Sequence, residues 1–173
     1  SGSIRVTVEP GEPGAIVSAD DNIVPLIVTR VSGDTLEVFT DKSLVSRSPL
    51  IVHVKAAQLD ALTVSGSGKA QALSVDADDF DLEISGSGSV TLAGAAKKLS
   101  AHLSGSGRLD AGALTAEQVS VRASGSGSAR VVATKKMDAD VSGSGSVRYG
   151  GDPPDVSSDV SGSGSVKPSR DPG

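Results

Sequence analysis

A four-residue block, Ser-Gly-Ser-Gly, recurs six times in this chain of 173 residues and constrains its fold more than any other feature. The blocks begin at Ser65, Ser85, Ser104, Ser124, Ser142 and Ser161, so successive steps are 20, 19, 20, 18 and 19 residues. Such a regular period predicts a repeat architecture in which each unit stacks on its neighbour. A unit of about 19 residues is too short for a helix pair or a propeller blade, but it suits one coil of a β-solenoid.

An alternating apolar pattern precedes each block, as in Leu82-Glu83-Ile84 before Ser85, and it is typical of a strand with one buried face. The double glycine of every block disfavours helix. A third apolar position follows each turn less regularly, at Val75, Ala95 and Leu114. The pattern leaves open whether the glycines form a corner or a thin flat wall, because glycine suits both a positive φ and a close backbone approach.

These features predict an all-β fold, a parallel β-helix of about six Ser-Gly-Ser-Gly coils over residues 59–168, followed by a C-terminal tail at 169–173. Residues 1–58 lack the repeat, and we interpret them as an irregular N-terminal β cap over the first coil, since an uncovered coil exposes unpaired backbone groups. Turn signals rich in proline and glycine separate its strand-like stretches, which are Ile4–Val8, Ala15–Ala19, Val28–Val31, Thr35–Phe39 and Leu50–Val54.

Composition excludes several kinds of site. The formal net charge of -5 argues against a nucleic-acid-binding surface, and we interpret the basic pairs Lys97-Lys98 and Lys135-Lys136 as solvated turn residues. The chain has no cysteine, so it offers neither a disulfide nor a thiolate metal site. No apolar run approaches membrane-spanning length. Ser1 leads directly into a strand without an initiator methionine, so we interpret the chain as a mature or trimmed form from which a secretory signal could have been removed.

The six blocks, the opening Ser1–Val8 and the stretch Ile23–Val38 before the repeats together resemble the head GIN domain family, the putative auto-transporter adhesins of bacteria. This resemblance covers nearly the whole chain. It implies a right-handed single-stranded β-helix and a protein exported to the periplasm or cell surface. It also implies adhesion without an established activity, and it transfers no catalytic or binding residues.

The repeated serines are the first candidate site. In stacked coils they would form two outward columns of hydroxyl groups, spaced about 6.6 Å along the strand and about 4.8 Å between coils. One interpretation is a flat surface for ordered water, ice or a polysaccharide. The alternative, which we favour because serine lacks a methyl group and no aromatic ring lies nearby, is that the hydroxyls satisfy backbone groups at tight corners. The columns are Ser65, Ser85, Ser104, Ser124, Ser142 and Ser161, then Ser67, Ser87, Ser106, Ser126, Ser144 and Ser163.

Charged residues that precede the blocks form a second pattern. In register, Glu83 would lie beside His102 and Arg122 beside Asp140, while Asp140 and Asp159 would repel each other; Asp110 and Arg130 would pair beyond their blocks. Exposed pairs of this kind contribute only about 0 to 1 kcal/mol each. His53 and His102, the chain's two histidines, lack metal-ligand spacing and a catalytic arrangement, so we expect structural roles and no cofactor.

The sequence favours a non-enzymatic surface or envelope protein that uses its β-helix for adhesion or scaffolding, with a glycan or protein as ligand. The first alternative is a polysaccharide-cleaving enzyme, although the clustered charged residues and sugar-stacking rings that such a cleft needs are missing. The second is a self-assembling scaffold formed by end-to-end stacking of coils. We expect a monomer or a weak dimer in solution.

Overall fold

A computed structural model describes residues 4–11, 14–18, 27–32, 35–40, 50–56 and 59–169. These residues form thirteen strands and no helix, which confirms the predicted all-β fold. Eleven of the strands belong to one sheet, in which the repeat strands pair in parallel. The strands are β1 (Ile4–Pro10), β2 (Gly14–Ser18), β3 (Ile27–Ser32), β4 (Thr35–Thr40), β5 (Leu50–Ala56), β6 (Ala61–Gly66), β7 (Lys69–Gly86), β8 (Ser89–Gly105), β9 (Arg108–Gly125), β10 (Ser128–Gly143), β11 (Ser146–Gly150), β12 (Asp155–Gly162) and β13 (Ser165–Pro168).

The five strands predicted before the repeats are all present as β1 to β5. Strand β1 lies between β5 and β7 and runs parallel to both, so it continues the sheet beyond the first coil. Strand β2 pairs antiparallel with β5, whereas β3 and β4 form a separate antiparallel pair. Of the predicted C-terminal tail, residues 170–173 lie outside the described part of the chain.

Each repeat strand bends around the molecule, and breaks in its burial pattern mark the bends. Along β7, buried and exposed residues alternate until two consecutive exposed residues interrupt the alternation, once at 73–74 and again at 78–79. With the Ser-Gly-Ser-Gly turn, these bends divide a coil into three walls. We call the residues before each block the upstream wall (80–84 in β7), those after it the downstream wall (69–72), and the remaining stretch the short wall (75–77).

The coils stack in register, as the spacing predicts. Ser85 pairs with Ser104 and Gly86 with Gly105, and the corresponding residues of every later block pair in the same way. Coils of unequal length keep this register because the extra residues are placed in bulges, such as the one between Ala72 and Val75. On the upstream and downstream walls, which flank each block, residues at the same offset from a block therefore form columns along the solenoid.

The core is a thin column of small aliphatic side chains. Its buried members are valine, leucine, isoleucine and alanine, apart from Phe80 and Met137. No polar or charged side chain is buried among the residues that the structure describes. Leu82 and Ile84, on the predicted buried face, are buried, and so are Phe80, Val90 and Leu92 at the alternate positions on either side of them. Burial of apolar surface therefore holds the coils together, at roughly 25 cal/mol per Å² removed from water.

The two glycines of a block have different roles. Gly105 has φ +104°, and a Cβ atom there would lie 2.7 Å from the carbonyl oxygen of Gly86 in the coil below. At Gly107 a Cβ atom would lie 2.5 Å from Cγ2 of Ile84. The first glycine therefore forms the corner, and the second lets the backbone pass close to the core. We call each Ser-Gly-Ser-Gly turn a serine corner.

Two details differ from the sequence-based expectation. Val75 and Leu114 are buried as predicted, but Ala95 is exposed. The reason is that Gly94, with φ +131°, occupies the register position of Val75 and Leu114, so Ala95 aligns instead with the exposed Asp76 and Thr115. In the last coil, Val156 and Val160 remain 42% and 40% exposed, although their positions are inward in other coils.

Candidate functional site

Serine hydroxyl groups line the solenoid along one edge. Both predicted serine columns are exposed in all six coils. Strand pairing aligns the first column directly, from Ser65 opposite Ser85 to Ser142 opposite Ser161. The corner therefore presents a regular double row of small polar groups, repeated about every 4.8 Å.

Backbone hydrogen bonds connect successive serine corners. The amide of Ser87 donates to the carbonyl of Gly66 at 2.9 Å, and the equivalent bond from Ser126 to Gly105 is 2.8 Å. A second set follows two residues later, as in the 3.0 Å bond from the Ser128 amide to the Gly107 carbonyl. The backbone thus satisfies these amide groups from coil to coil.

The upstream wall has an acidic outer surface. Its column of residues two positions before each block pairs as predicted, with Glu83 opposite His102, Arg122 opposite Asp140, and Asp140 opposite Asp159. The register also places His102 opposite Arg122. This column and the outward column two residues before it together contain twelve positions. One of the twelve is basic, Arg122, and five are acidic: Asp81, Glu83, Asp138, Asp140 and Asp159.

The downstream wall has the opposite charge. Its two outward columns run through seven paired strands, from β1 through β7, β8, β9, β10 and β11 to β13. Among these fourteen positions, six side chains are basic and one is acidic, and all seven are exposed: Arg5, Lys69, Arg108, Arg130, Arg148, Lys167 and Asp110. The predicted pairing of Asp110 with Arg130 occurs at the centre of this wall.

A shallow cleft of about 330 Å³ opens on the downstream wall. At its side, Nε of Arg108 donates to Oγ of Ser128 at 3.3 Å, which joins a guanidinium group to a hydroxyl on the next coil. Asp110 accepts a 3.3 Å hydrogen bond from the amide of Gly112. The cleft therefore combines fixed positive charge with hydroxyl groups. Its lining consists of Arg108, Leu109, Asp110, Ser128, Ala129, Arg130, Ser146 and Arg148.

Charges of opposite sign alternate at the bend between the short and upstream walls. Lys97 lies 2.7 Å from Asp78, Lys135 lies 2.8 Å from Glu117, and these side chains remain 44% to 75% exposed. The hydrogen bond from Lys97 to Asp78, with the attraction between their charges, raises the pKa of Lys97 above its usual 10.5. The basic pairs are solvated as the sequence predicts, but they lie at a bend within β8 and β10 and not in turns. Three of the four lysines lie within 4 Å of an acid on a neighbouring coil, and Lys98 is opposite Asp79 in the register.

The two histidines lie on different strands, β5 and β8. His53 and His102 are both exposed on their strands. Within the described ranges, no group of three His, Cys, Asp or Glu side chains is arranged to hold a metal ion. That part of the chain also contains no helix able to cross a membrane.

A family comparison identifies the chain. The family model described as "Putative auto-transporter adhesin, head GIN domain" matches residues 1–153. The chain belongs to this family. The resemblance that its blocks predict is therefore confirmed, and no curated protein matches the sequence.

Solved structures agree with the family assignment. A putative adhesin from Bacteroides fragilis is 28% identical with a TM-score of 0.74, and the alignment covers 97% of this chain and 88% of the other. A putative adhesin from Parabacteroides distasonis is 23% identical with a TM-score of 0.55, over 97% and 90% of the two chains. A putative lipid binding protein from the same organism is 22% identical with a TM-score of 0.53, over 98% and 89%. The two Parabacteroides distasonis proteins share the fold of this chain.

Sequence reasoning missed the basic downstream wall because it looked for basic residues adjacent in the chain. Arg130, Arg148 and Lys167 are 18 and 19 residues apart, yet each lies six residues after the first serine of its block. The register places them side by side on β10, β11 and β13. Scoring charge by offset within the repeat would have found this wall.

Proposed function

We propose that this protein is an exported, non-enzymatic adhesion module of the bacterial envelope or cell surface. It holds a ligand across the serine corner and the walls beside it. The observation that carries the proposal is the double column of exposed hydroxyl groups, repeated in register over six coils. The family description supports an adhesive role, as does the similarity to the Bacteroides fragilis protein.

A repeated surface suits adhesion because each coil contributes a small, equivalent set of contacts. Hydroxyl groups both donate and accept hydrogen bonds, so a column of them is complementary to a polymer that carries hydroxyl or amide groups. Each contact is weak, and affinity grows when many act together. We therefore propose an extended ligand, a glycan or a protein segment, that spans several coils.

A binding screen with a turnover control tests the proposal. The purified chain is applied to immobilised neutral glycans, acidic glycans, proteins and lipid vesicles, and the glycan solutions are analysed for cleavage products. Saturable binding without product formation is expected. Cleavage of any glycan would contradict the non-enzymatic role, and absence of binding to every member would contradict adhesion.

A steric variant locates the surface. Replacing an exposed corner serine by tryptophan (Ser124→Trp) should weaken binding at least tenfold, because the indole group covers the hydroxyl columns of neighbouring coils. The matched control is Thr115→Trp, at an exposed position that follows the buried Leu114 and lies away from the corner. Equal binding by both variants would show that the ligand lies elsewhere.

The serine corner also bears on assembly. It has little apolar area, so pairing between two corners gains little from the hydrophobic effect. We propose a monomer or a weak side-by-side dimer. Sedimentation at micromolar concentration should show mainly the 17.1 kDa species, whereas an oligomer that survives dilution would reveal an apolar interface.

A further inference from the structure

The downstream wall concentrates positive charge in a chain that is negative as a whole. The formal net charge is -5, yet the fourteen outward positions of this wall include six basic residues and one acidic residue. The inward residues between them, such as Leu109, Ala129 and Val147, belong to the core. The excess of positive charge is therefore confined to the surface, where packing of the core does not restrict the type of side chain.

Apart from Asp110, which pairs with Arg130, no acidic residue occupies these two columns to balance their positive charge. Arg130, Arg148 and Lys167 occupy adjacent positions of one column, about 4.8 Å apart between backbones, so their charges repel. At the bend before the upstream wall the same chain alternates charges, as in Lys97 with Asp78 and Lys135 with Glu117. Like charges also meet on the upstream wall, where Asp140 lies opposite Asp159, so each wall carries mainly one sign of charge and the basic wall is the one suited to an anionic ligand.

The neighbouring column supplies polar groups of a second kind. Ser128, Ser146 and Ser165 occupy successive positions beside the basic column, and each is half-buried. Arg108 contacts Ser128 at the cleft, so hydroxyl and guanidinium groups converge there. A guanidinium group binds a carboxylate or sulfate group through two parallel hydrogen bonds, and a serine hydroxyl pairs with a sugar hydroxyl.

We propose that the downstream wall binds an acidic polysaccharide, with its carboxylate or sulfate groups on Arg108, Arg148 and Lys167 and its hydroxyl groups on the serine column. Among the described residues, this wall bears no exposed aromatic ring on which a nucleic-acid base could stack. The exposed large apolar residues Leu73, Val156 and Val160 lie outside its two columns, so it lacks the apolar groups that insert into a lipid surface. Charge complementarity and hydroxyl pairing therefore favour an acidic glycan.

This inference rests on the proposed adhesive function and names the ligand class and the wall that recognises it. The probes are polygalacturonate and its methyl ester, which differ in charge on the same backbone, and dextran sulfate with dextran as a second pair. We expect saturable binding of the two charged polymers, weakening steadily as sodium chloride is raised, and at least tenfold weaker binding of the two neutral ones.

Two variants with the same net charge locate the site. Arg108→Gln combined with Arg148→Gln removes two charges from the downstream wall, and Lys97→Gln combined with Lys98→Gln removes two at the bend before the upstream wall. The first should weaken polygalacturonate binding at least tenfold, and the second should stay within about twofold of the parent. Arg108→Lys with Arg148→Lys, which retains the charge, should lose less than the glutamine variant. Unfolding curves of all variants check that the fold is retained.

The outcomes separate the two proposals. Tight binding of neutral and charged polymers alike, or equal weakening by both glutamine variants, would overturn the acidic-glycan assignment and leave adhesion standing. Binding confined to proteins or vesicles would do the same. Failure to bind any glycan, protein or vesicle would overturn both proposals.

Discussion

The upstream and downstream walls meet at the same serine corner, share one core and differ in charge. Leu103 on the upstream wall and Leu109 on the downstream wall are both buried, 3% and 1% exposed. Outside, the upstream wall carries five acidic residues and Arg122, whereas the downstream wall carries six basic residues and Asp110. The difference shows that the repeat fixes which positions face outward but not their charge.

Parallel stacking explains how two such surfaces arise from one repeat. Residues at equal offsets become neighbours even when nearly twenty residues separate them, so a charge repeated at one offset becomes a charged stripe. A stripe of one sign weakens the fold slightly, and one of alternating sign strengthens it slightly. Of the two walls, the downstream one carries mainly positive charge, so it is the better candidate for an anionic ligand.

The largest expected effect comes from the corner that joins the two walls. Gly105→Val places a branched side chain at φ +104° and 2.7 Å from a backbone oxygen of the coil below. We expect a loss of more than about 2 kcal/mol in the free energy of unfolding, measured in urea. Gly66→Ala is the control, since its φ is +78° but nothing lies within 4 Å of the added atom. Equal losses would show that strain, and not contact between coils, dominates at the corner.

An intermediate effect distinguishes the walls directly. Arg148 lies between Arg130 and Lys167, so Arg148→Gln should raise the free energy of unfolding by about 0.5 kcal/mol. Arg122 lies between His102 and Asp140, so Arg122→Gln should lower it by about the same amount at pH 7. Both changes should fade in 1 M salt. Changes of the same sign in the two variants would mean that column neighbours do not set the local electrostatics.

Much of this fold follows from the sequence because glycine and alternating apolar residues act locally. The spacing of the blocks predicts the coils, the alternation predicts the buried face, and the turn signals predict β1 to β5. The shift at Gly94 could not be predicted, because it depends on a bulge that absorbs an unequal coil length. The basic wall was missed for a related reason: it exists only once register is applied across coils.

The smallest expected effect concerns the ion pairs at the bend between the short and upstream walls. Because Asp78 raises the pKa of Lys97, the pair stabilises the folded chain below pH 10.5 and this stabilisation is lost as pH rises through the raised pKa. Lys97→Gln should therefore be slightly less stable than the parent at pH 7. The difference should close at strongly alkaline pH in unfolding curves. A difference that persists unchanged there would assign the effect to packing of the lysine stem.

Register across coils is the central claim, and disulfide trapping measures it most directly. The chain contains no cysteine, so Arg130→Cys with Arg148→Cys introduces a single candidate pair. Directly paired positions lie about 4.8 Å apart, within reach of a disulfide, whereas Asp110→Cys with Arg148→Cys places the thiols two coils apart, beyond the limit of about 7 Å. We predict that mild oxidation closes an intramolecular disulfide in the first variant and leaves the second reduced. Closure in the second variant, or in neither, would contradict the register and the basic wall that depends on it.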